Sequence, residues 1–350
     1  MGLKPDPHGN NNVLELSLSN VDQYLRQNGH IDDGQRADYE LLGGGISNTV
    51  LKVMPTGDCF VVKQSLPKLR VAQDWFFDRR RIFVERDCMA ALGDLLPTGS
   101  VPEVKFSDEP NFVLGMSCAP DGGENWKESL LRGSTDLQAA TWAAKLLARL
   151  HCESHTRQTL LDSFRDQSLL IQGRIDPYHR TAAKKHPDLE PVISAEVERL
   201  LSTRQVLVHG DYSPKNIVLY PGAVFVLDFE VAHYGDPAFD VAFCLTHLVL
   251  KAVHFAPDHA RYLACAQRFW DAYRSSVGQT FDPALESSVV AELGCLMLAR
   301  IDGKSRVEYI TDEPTREVAR QLARNLLLVP PPNPAEAVAR IEAEIAKSSS

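Results

Sequence analysis

One segment, from Val206 to Asp240, constrains this chain more than any other. It reads VLVHGDYSPKNIVLYPGAVFVLDFEVAHYGDPAFD. A short apolar run ends in His209-Gly210-Asp211, and Asn216 follows five positions after Asp211. A hairpin is predicted next, and its second strand delivers Asp228. Phosphoryl transfer needs these parts in this order: a carboxylate at the attacking hydroxyl, an amide oxygen on a metal ion, and a second carboxylate on that ion.

The spacing from Asp211 to Asn216 matches the protein-kinase catalytic loop, H-R-D-x-x-x-x-N, and Asp228 stands where the D-F-G aspartate of those enzymes stands. Ordinary turn residues are the alternative, because Asp, Asn and Gly dominate turns. An isolated His-Gly-Asp means little. The whole series of loop, asparagine, two apolar strands and Asp-Phe-Glu favours phosphoryl transfer.

Composition narrows the possible classes of protein. The 350 residues predict one large domain or two closely packed lobes. A formal charge of −9 disfavours nucleic acid as a partner, and no apolar stretch approaches the roughly 18 residues of a membrane span. The seven scattered cysteines contain no C-x-x-C pair, which predicts free thiols and a cytoplasmic location. The N-terminus has no signal peptide pattern, and the sequence leaves the oligomeric state open.

Local patterns predict a bilobal α+β fold with a β-rich N-lobe and a mostly helical C-lobe. Residues 1–12 are predicted to be disordered, 13–119 to form the N-lobe, 120–330 the C-lobe, and 331–350 a terminal helix that frays. Helices are predicted at about 20–29, 73–92, 135–152, 238–254, 258–277, 282–301 and 315–328, and N-lobe strands at 39–42, 49–54, 59–64, 103–106 and 112–116.

A glycine-rich loop lies between the first two predicted strands. Gly44 and Gly45 allow backbone N–H groups to approach a phosphate closely, and Ser47 and Asn48 add side-chain donors. A flexible hairpin turn explains this segment equally well on its own. The third glycine of the protein-kinase loop G-x-G-x-x-G is absent.

Lys63 ends the next predicted strand, where its ammonium can reach the α- and β-phosphates of ATP. Glu85, on the following helix, is its predicted partner, although Arg81 lies one helical turn before Glu85 and is the competing partner. The stretch after the last N-lobe strand joins the lobes. An adenine would contact its backbone there, with Met116 and Cys118 at the base.

With these motifs in order, the chain resembles the aminoglycoside phosphotransferase family of small-molecule kinases over about residues 40–310. The matching motifs are GGGISNTV, the strand ending in Val62-Lys63, LVHGDYSPKNIVL and VLDFEVAHYGDPAFDVA. The resemblance implies a protein-kinase-like fold and phosphorylation of a small-molecule hydroxyl with ATP and Mg²⁺. By position it also implies that Asp211 is the catalytic base.

Further roles follow from the same resemblance. Asn216 and Asp228 would hold Mg²⁺, while Asp240 would brace the catalytic loop that begins at His209. Many members have a histidine where this chain has Ser213. The metal motif here is Asp-Phe-Glu, so Glu230 is a candidate second carboxylate on the ion.

The Asp-x-Glu pair, VVKQSLPKLRV and the segment 124–127 are similar to the methylthioribose kinase branch, which implies a sugar or sugar-like acceptor. An aminoglycoside- or choline-type kinase is the alternative. A protein kinase is disfavoured because only seven residues separate Phe229 from Pro237, too few for a peptide platform. A nucleotide-binding pseudokinase that serves as an interaction module is disfavoured because Asp211 and Asp228 both remain.

Three segments supply candidate acceptor-binding residues. Arg174 and Tyr178 lie in the candidate segment 174–180, His233 in 233–236, and Arg300 in 300–306. Arg300, with Lys304 and Arg306, could meet an anionic or polyhydroxyl substrate. A solvated, salt-bridged helix end is the alternative for these three.

Overall fold

The computed structural model describes residues 13–43, 45–70 and 74–348. They form the two lobes that the sequence predicts, with an open cleft between them. The predicted disordered residues 1–12 and the predicted phosphate-binding Gly44 lie outside the described residues.

The N-lobe is built on a five-stranded antiparallel sheet with the strand order β1-β2-β3-β5-β4. Its elements are α1 (Val21–Gln27), β1 (Ala37–Leu41), β2 (Asn48–Pro55), β3 (Phe60–Ser65), α2 (Arg81–Leu92), β4 (Val104–Asp108) and β5 (Val113–Ser117). The predicted strands are therefore present, with boundaries shifted by one or two residues.

The two faces of this sheet have different surroundings. Side chains alternate across a strand, so Val62 of β3 packs against α1 in a small core with Leu25 and Leu51. Its neighbours Val61 and Lys63 point the other way, into the cleft. The sheet thus carries a structural face and a functional face.

Helix α2 begins at Arg81, and the prediction that it starts near residue 73 is wrong. Residues 74–80 instead run across to the C-lobe. The indole Nε1 of Trp75 donates to the carbonyl oxygen of Gln172 at 3.1 Å, and the amide N–H of Asp78 donates to the Gln172 side chain at 3.1 Å. The ring of Phe77 packs on Gly173, where a Cβ would come within 2.9 Å of it. These contacts outweigh helix propensity, which is a weak preference.

Cys59 and Cys118 form a disulfide with a Cα–Cα distance of 5.8 Å, so the prediction of seven free thiols is wrong for this pair. The reason lies in the sheet. Strands β3 and β5 are neighbours and Phe60 lies opposite Ser117, so the cysteines just beyond them meet. Their separation of 59 residues hides this in the sequence. The other five cysteines are free.

The C-lobe is mostly helical, with two small sheets, β7–β10 and β6–β8–β9. Its helices are α3 (Trp126–Leu131), α4 (Leu137–Ser154), α5 (Gln158–Phe164), α6 (Ser168–Leu170), a π-helical segment (Ile171–Arg180), α7 (Thr181–Lys185), α8 (Glu190–Ser202), α9 (Pro237–His254), α10 (His259–Val277), α11 (Ala284–Asp302), α12 (Glu313–Leu328) and α13 (Pro334–Ser348). Its strands are β6 (Glu124–Asn125), β7 (Val206–Val208), β8 (Ile217–Tyr220), β9 (Ala223–Val226) and β10 (His233–Gly235).

Helix α9 is the centre of this lobe. Every residue in it except His254 is buried, as expected for a helix that is apolar on all sides. Asp236 caps its first turn by accepting from the amide of Ala238, and Pro237 occupies the first position. The same apolar core continues into the N-lobe through Ile82 of α2. The two lobes therefore share one core beneath the cleft.

Among the described residues, no single helix is both long and apolar enough to cross a membrane. One pair, α9 with the stretch Ala256–Val277, meets the length and composition criteria jointly but is bent by 112°.

The terminal helix α13 is packed, although the sequence predicts fraying there. Ala337, Val338, Ile341 and Ile345 are buried and form one stripe of the helix. The apolar stripe covers α10, α11 and α12 and outweighs the charged residues on the opposite face.

The backbone conformation and close packing of Gly210, the residue before Asp211, can be tested by substitution. Its φ is +79°, and a Cβ there would lie 2.6 Å from the carbonyl oxygen of Val231. Gly222, in the β8–β9 turn, has a φ of +82° but meets no described atom within 4 Å. We expect Gly222→Ala to cost about 1–2 kcal/mol, since an alanine is strained at positive φ. Gly210→Ala should cost roughly 1–3 kcal/mol more because of overpacking.

Urea unfolding of both variants measures the difference. Equal losses of unfolding free energy would show that the contact with Val231 relaxes freely.

Candidate active site

The cleft between the lobes has a volume of about 900 Å³ and collects most of the predicted site residues. Those that line it are Gly45, Ser47, Asn48, Lys63, Glu85, Met116, Cys118, Arg174, Tyr178, Asp211, Asn216, Asp228, Glu230 and Arg300. His209 begins the loop that carries Asp211, and Asp240 lies directly behind this loop. His233 is not among the residues that line the cleft.

Lys63 bridges two carboxylates. Its Nζ lies 2.7 Å from Glu85 Oε2 and 2.5 Å from Asp228 Oδ1. Burial raises the pKa of the Glu85 carboxyl to about 7, against the attraction of Lys63. Burial acts in the same direction on Asp228, but Lys63 and Lys215 outweigh it and hold the pKa of Asp228 well below its usual range. Asp228 is therefore ionised at neutral pH.

Lys63, and not Arg81, is the partner of Glu85, because Arg81 pairs with a different carboxylate. Its side chain is fully buried, and its Nε donates to Glu230 Oε2 at 3.2 Å. Asn48 donates to the same oxygen from the N-lobe at 2.7 Å. Glu230 thereby ties the end of the glycine-rich loop to the C-lobe. It also belongs to a group with Glu85 and Asp228 whose ligand atoms all lie within 4.8 Å of one another.

Asp211 is surrounded by donors. Asn216 Nδ2 donates to its carboxylate at 3.0 Å and to its backbone carbonyl at 2.9 Å. Lys215 Nζ lies 3.1 Å and Arg174 Nη2 3.3 Å from Asp211 Oδ2. Burial raises the pKa of Asp211, but Lys215 and Arg174 outweigh it and leave the pKa below its usual range. Asp211 is thus a carboxylate that can accept a hydrogen bond.

Behind the loop, Asp240 accepts hydrogen bonds from the backbone amides of His209 at 2.7 Å and Gly210 at 2.9 Å. His209 Nε2 contacts the carbonyl oxygen of Leu227 at 3.0 Å and must be the protonated nitrogen, so its Nδ1 accepts from the Asp211 amide at 3.1 Å. Burial lowers the pKa of His209, which keeps the ring neutral. The loop is thus fixed on both sides.

One half of the cleft is mainly apolar. Leu42, Val50 and Val61 line it from the N-lobe, Leu227 lines it from below, and Met116 and Cys118 lie at its back. The glycines at its edge are not required by the fold. A Cβ on Gly43 would meet no described atom within 4 Å, and one on Gly45 would meet only the carbonyl oxygen of Asn48 at 3.9 Å.

The other half is lined by aromatic and basic side chains. Arg174 donates from Nε to the carbonyl oxygen of Gly210 at 2.7 Å. The guanidinium groups of Arg174 and Arg300 lie 5.5 and 5.7 Å from the ring centre of Tyr178. Trp75, Phe77, Phe243 and Tyr309 complete the walls.

Some residues of the site are missing from the sequence-based prediction. Lys215 follows Asp211 by four positions in the sequence. This spacing indicates a contact between the two side chains only once the helical turn Pro214–Asn216 is known. Arg81 stands among three arginines that look like a solvated helix face. Trp75 falls in a stretch that is predicted as helix. None of the three carries a motif of its own.

The oxygen donors at the cleft floor fit Mg²⁺. Asp228 and Glu230 supply carboxylate oxygens, which this ion prefers. The amide nitrogen of Asn216 is engaged by Asp211, which leaves its side-chain oxygen as the remaining ligand atom.

Comparison with known proteins places this chain in a family. A model of the phosphotransferase enzyme family (APH) matches residues 38–276, so the chain belongs to this family, and the predicted resemblance is confirmed. The chain is similar to the methylthioribose kinase of Pectobacterium atrosepticum, with 24% identity over 258 residues that cover 65% of this chain and 64% of that kinase. The match therefore spans slightly less than two thirds of that relative. Family and relatives indicate a small-molecule kinase.

Solved structures agree on the fold. The chain is similar to an ethanolamine kinase from Plasmodium vivax, with a TM-score of 0.58, 14% identity and coverage of 87% of this chain and 88% of that one. It is also similar to an amicoumacin kinase in complex with AMP-PNP, Ca²⁺ and Ami, with a TM-score of 0.55, 14% identity and coverage of 94% of both chains. The predicted protein-kinase-like fold is confirmed.

His233, a predicted substrate residue, lies in β10 against β7 and is buried. Its Nδ1 contacts the carbonyl oxygen of Val231 at 2.9 Å, and a Cβ on Gly235 would meet its ring at 2.7 Å. Burial lowers its pKa to about 4, so the ring stays neutral in the folded protein. The geometry makes it a packing residue.

A prediction follows for the pH dependence of stability. The unfolded protein binds a proton at His233 below the ordinary pKa of 6.5, whereas the folded protein does so only near 4. Stability should therefore fall as the pH drops through this interval. Between pH 7 and pH 5 we expect His233→Gln to lose about 2 kcal/mol less unfolding free energy than the parent protein. Urea titrations at both pH values measure this, and parallel losses in the two proteins would contradict it.

Proposed function

We propose that this protein is an ATP- and Mg²⁺-dependent phosphotransferase that acts on a hydroxyl of a small molecule, a sugar or sugar-like metabolite. One observation carries the proposal. Asp211, Asn216 and Asp228 converge with the Lys63–Glu85 pair on the floor of one cleft. Each residue type in this group matches a separate requirement of phosphoryl transfer.

The apolar half of the cleft suits a nucleotide base. Aliphatic side chains at Leu42, Val61 and Leu227 would contact the two faces of a flat ring. Gly43 and Gly45 are free of steric demands from the fold, so their small size is explained by a ligand that approaches the backbone closely.

The polar floor suits the phosphates. Asp228 and Asn216, with Glu230, would hold Mg²⁺, which would neutralise charge on a triphosphate. Lys63 is kept protonated by its two carboxylates and is aimed into the same space, so it would orient the phosphates.

Asp211 would accept a hydrogen bond from the acceptor hydroxyl and take its proton late in the reaction. Its low pKa suits this role, because positioning and charge stabilisation carry most of the catalysis in phosphoryl transfer. Arg174 and Asn216 fix the carboxylate, and the amides that bond to Asp240 fix the loop.

A small acceptor is supported by the walls of the second half of the cleft. Trp75 and Phe77 reach across from the N-lobe, while Tyr178 and Phe243 close the C-lobe side. Aromatic faces pack well against the apolar faces of sugar rings. The similarity to methylthioribose kinases supports a sugar-like acceptor over an aminoglycoside or choline.

The test is ATP-dependent transfer to a panel of sugars, methylthioribose, choline, amino alcohols and aminoglycosides, followed by mass spectrometry. We expect a phosphorylated small molecule, and Asp211→Asn should lower kcat by roughly 10²–10⁴-fold. Mg²⁺–ATP binding should be nearly unchanged, because Asp211 is assigned to the acceptor. Asp162→Asn, at an exposed position of α5 outside the cleft, is the matched control.

Activity of Asp211→Asn within about tenfold of the parent enzyme would remove Asp211 as the base. Phosphorylation of protein substrates alone would overturn the small-molecule class.

The metal assignment has its own test. Asp228→Ala should abolish Mg²⁺-dependent nucleotide binding, because it removes a hard oxygen ligand. Glu230→Gln should raise the Mg²⁺ concentration for half-maximal activity by a smaller factor, since the amide still accepts from Asn48 and Arg81. Activity titrated against Mg²⁺ measures both. An unchanged curve for Glu230→Gln would restrict this residue to its contacts between the lobes.

A further inference from the structure

The acceptor half of the cleft carries more positive charge than its own carboxylates neutralise. Most of the carboxylates that line the cleft already have a cationic partner: Asp211 with Arg174 and Lys215, Asp228 and Glu85 with Lys63, Glu230 with Arg81, and Glu308 with Lys127. Glu128 also lines the cleft, but it is exposed and has no cationic partner within 4 Å among the described residues. Arg300, Lys304 and Arg306 line the same cleft, and no carboxylate of the described residues lies within 4 Å of their charged groups.

Arg300 is the innermost of the three. Its Nη1 donates to the Tyr178 hydroxyl at 3.1 Å and to the Ser305 hydroxyl at 2.7 Å, both neutral groups. Its Nε is buried and has no hydrogen-bond partner among the described residues. A buried N–H that lacks a hydrogen bond is costly, and Glu308, a carboxylate that interacts electrostatically with Arg300, already pairs with Lys127. The hydroxyl of Tyr309, also in this wall, is buried without a partner as well.

The other two cations lie nearer the rim. Lys304 Nζ reaches only a backbone carbonyl, that of Asp74, at 3.4 Å. Arg306 is exposed. Long basic side chains at a rim can close over a bound anion without first losing an ion pair.

Neighbouring groups respond to the same excess of charge. Burial lowers the pKa of His247 well below its usual range, and Arg300, Lys251 and Lys215 lower it further. Burial raises the pKa of Tyr178, but Arg300 and Arg174 outweigh it and lower the pKa overall. A positive field thus fills this half of the cleft in a chain whose formal charge is −9.

The acceptor end and the catalytic end are linked through one side chain. The ring of Tyr178 contacts the guanidinium groups of both Arg300 and Arg174, and Arg174 forms an ion pair with Asp211. A compact molecule would therefore place a hydroxyl at Asp211 and a second group at Arg300.

We propose that the acceptor is a small polyol that carries an anionic group, a phosphate monoester or a carboxylate, bound by Arg300 with Lys304 and Arg306. This inference rests on the proposed function and narrows its substrate class. It disfavours aminoglycosides and choline, since their positive charge would be repelled here.

The experiment compares acceptors matched in skeleton and different in charge. Glycerol, ribose and glucose are each tested as the neutral polyol, the phosphate monoester and the carboxylate, with glucosamine and serinol as cations. With ATP and Mg²⁺, we expect kcat/KM for an anionic member to exceed that of its neutral counterpart by about tenfold or more, as charge-assisted hydrogen bonds allow. The phosphate and carboxylate arms distinguish the two sources of the anion.

The variant Lys304→Gln/Arg306→Gln should lose most of this preference through a raised KM for the acceptor, with KM for ATP unchanged. It avoids Arg300, whose bonds to Ser305 also shape the loop. Lys145→Gln/Lys184→Gln removes the same net charge from exposed positions outside the cleft and should retain the preference.

Better transfer to neutral or cationic members would overturn the anionic acceptor and leave the kinase proposal intact. A raised KM for ATP in Lys304→Gln/Arg306→Gln, with acceptor preference unchanged, would overturn it too and assign the cations to the nucleotide. Failure of every member, charged or neutral, together with the sugars of the earlier panel, would remove the proposed function itself.

Discussion

The carboxylate of Asp240 is the contact on which the site depends. It lies in the first turn of α9, the helix that is buried almost throughout, and it accepts the amides of His209 and Gly210. Because α9 is packed on all sides, the carboxylate cannot shift without disturbing the core. The loop that carries Asp211 is therefore positioned by a helix of the C-lobe in which every residue except His254 is buried. Gly210 permits this docking, since its φ of +79° and its closeness to Val231 leave no room for a side chain.

The lobes are joined by charge as well as by apolar packing. Lys63 reaches from the N-lobe sheet to Asp228, while Asn48 and Arg81 both reach Glu230. Removing one member of a buried ion pair is more costly than never having had the pair. These three contacts thus favour one arrangement of the lobes, and the same atoms lie where phosphates and a metal ion would bind. Asp228 also has a positive φ of 70°, a strained conformation that the surrounding contacts maintain.

Much of this arrangement follows from the sequence, because short motifs fix local geometry. The distance in the chain from Asp211 to Asn216 is enough to predict the loop, and apolar alternation is enough to predict the N-lobe strands. The bilobal fold follows from the change of texture between the two halves. The residues that place the lobes against each other do not follow from such motifs. Arg81 and Trp75 act through partners 149 and 97 positions away, and nothing in their own neighbourhood reports such contacts.

The predictions that the structure contradicts fail for the same reason, because they depend on contacts between residues far apart in the sequence. Cys59 and Cys118 meet because β3 and β5 are neighbours, a fact of sheet order and not of spacing. Residues 74–80 leave the helix because Gln172 and Gly173 offer better contacts than another helical turn. His233 has the residue type of a substrate ligand, but β10 places it inside the lobe. Whether a charged side chain has an oppositely charged partner also depends on residues far away in the sequence. The sequence shows three cations near residue 300, and only the folded chain shows that most of the nearby carboxylates already have partners.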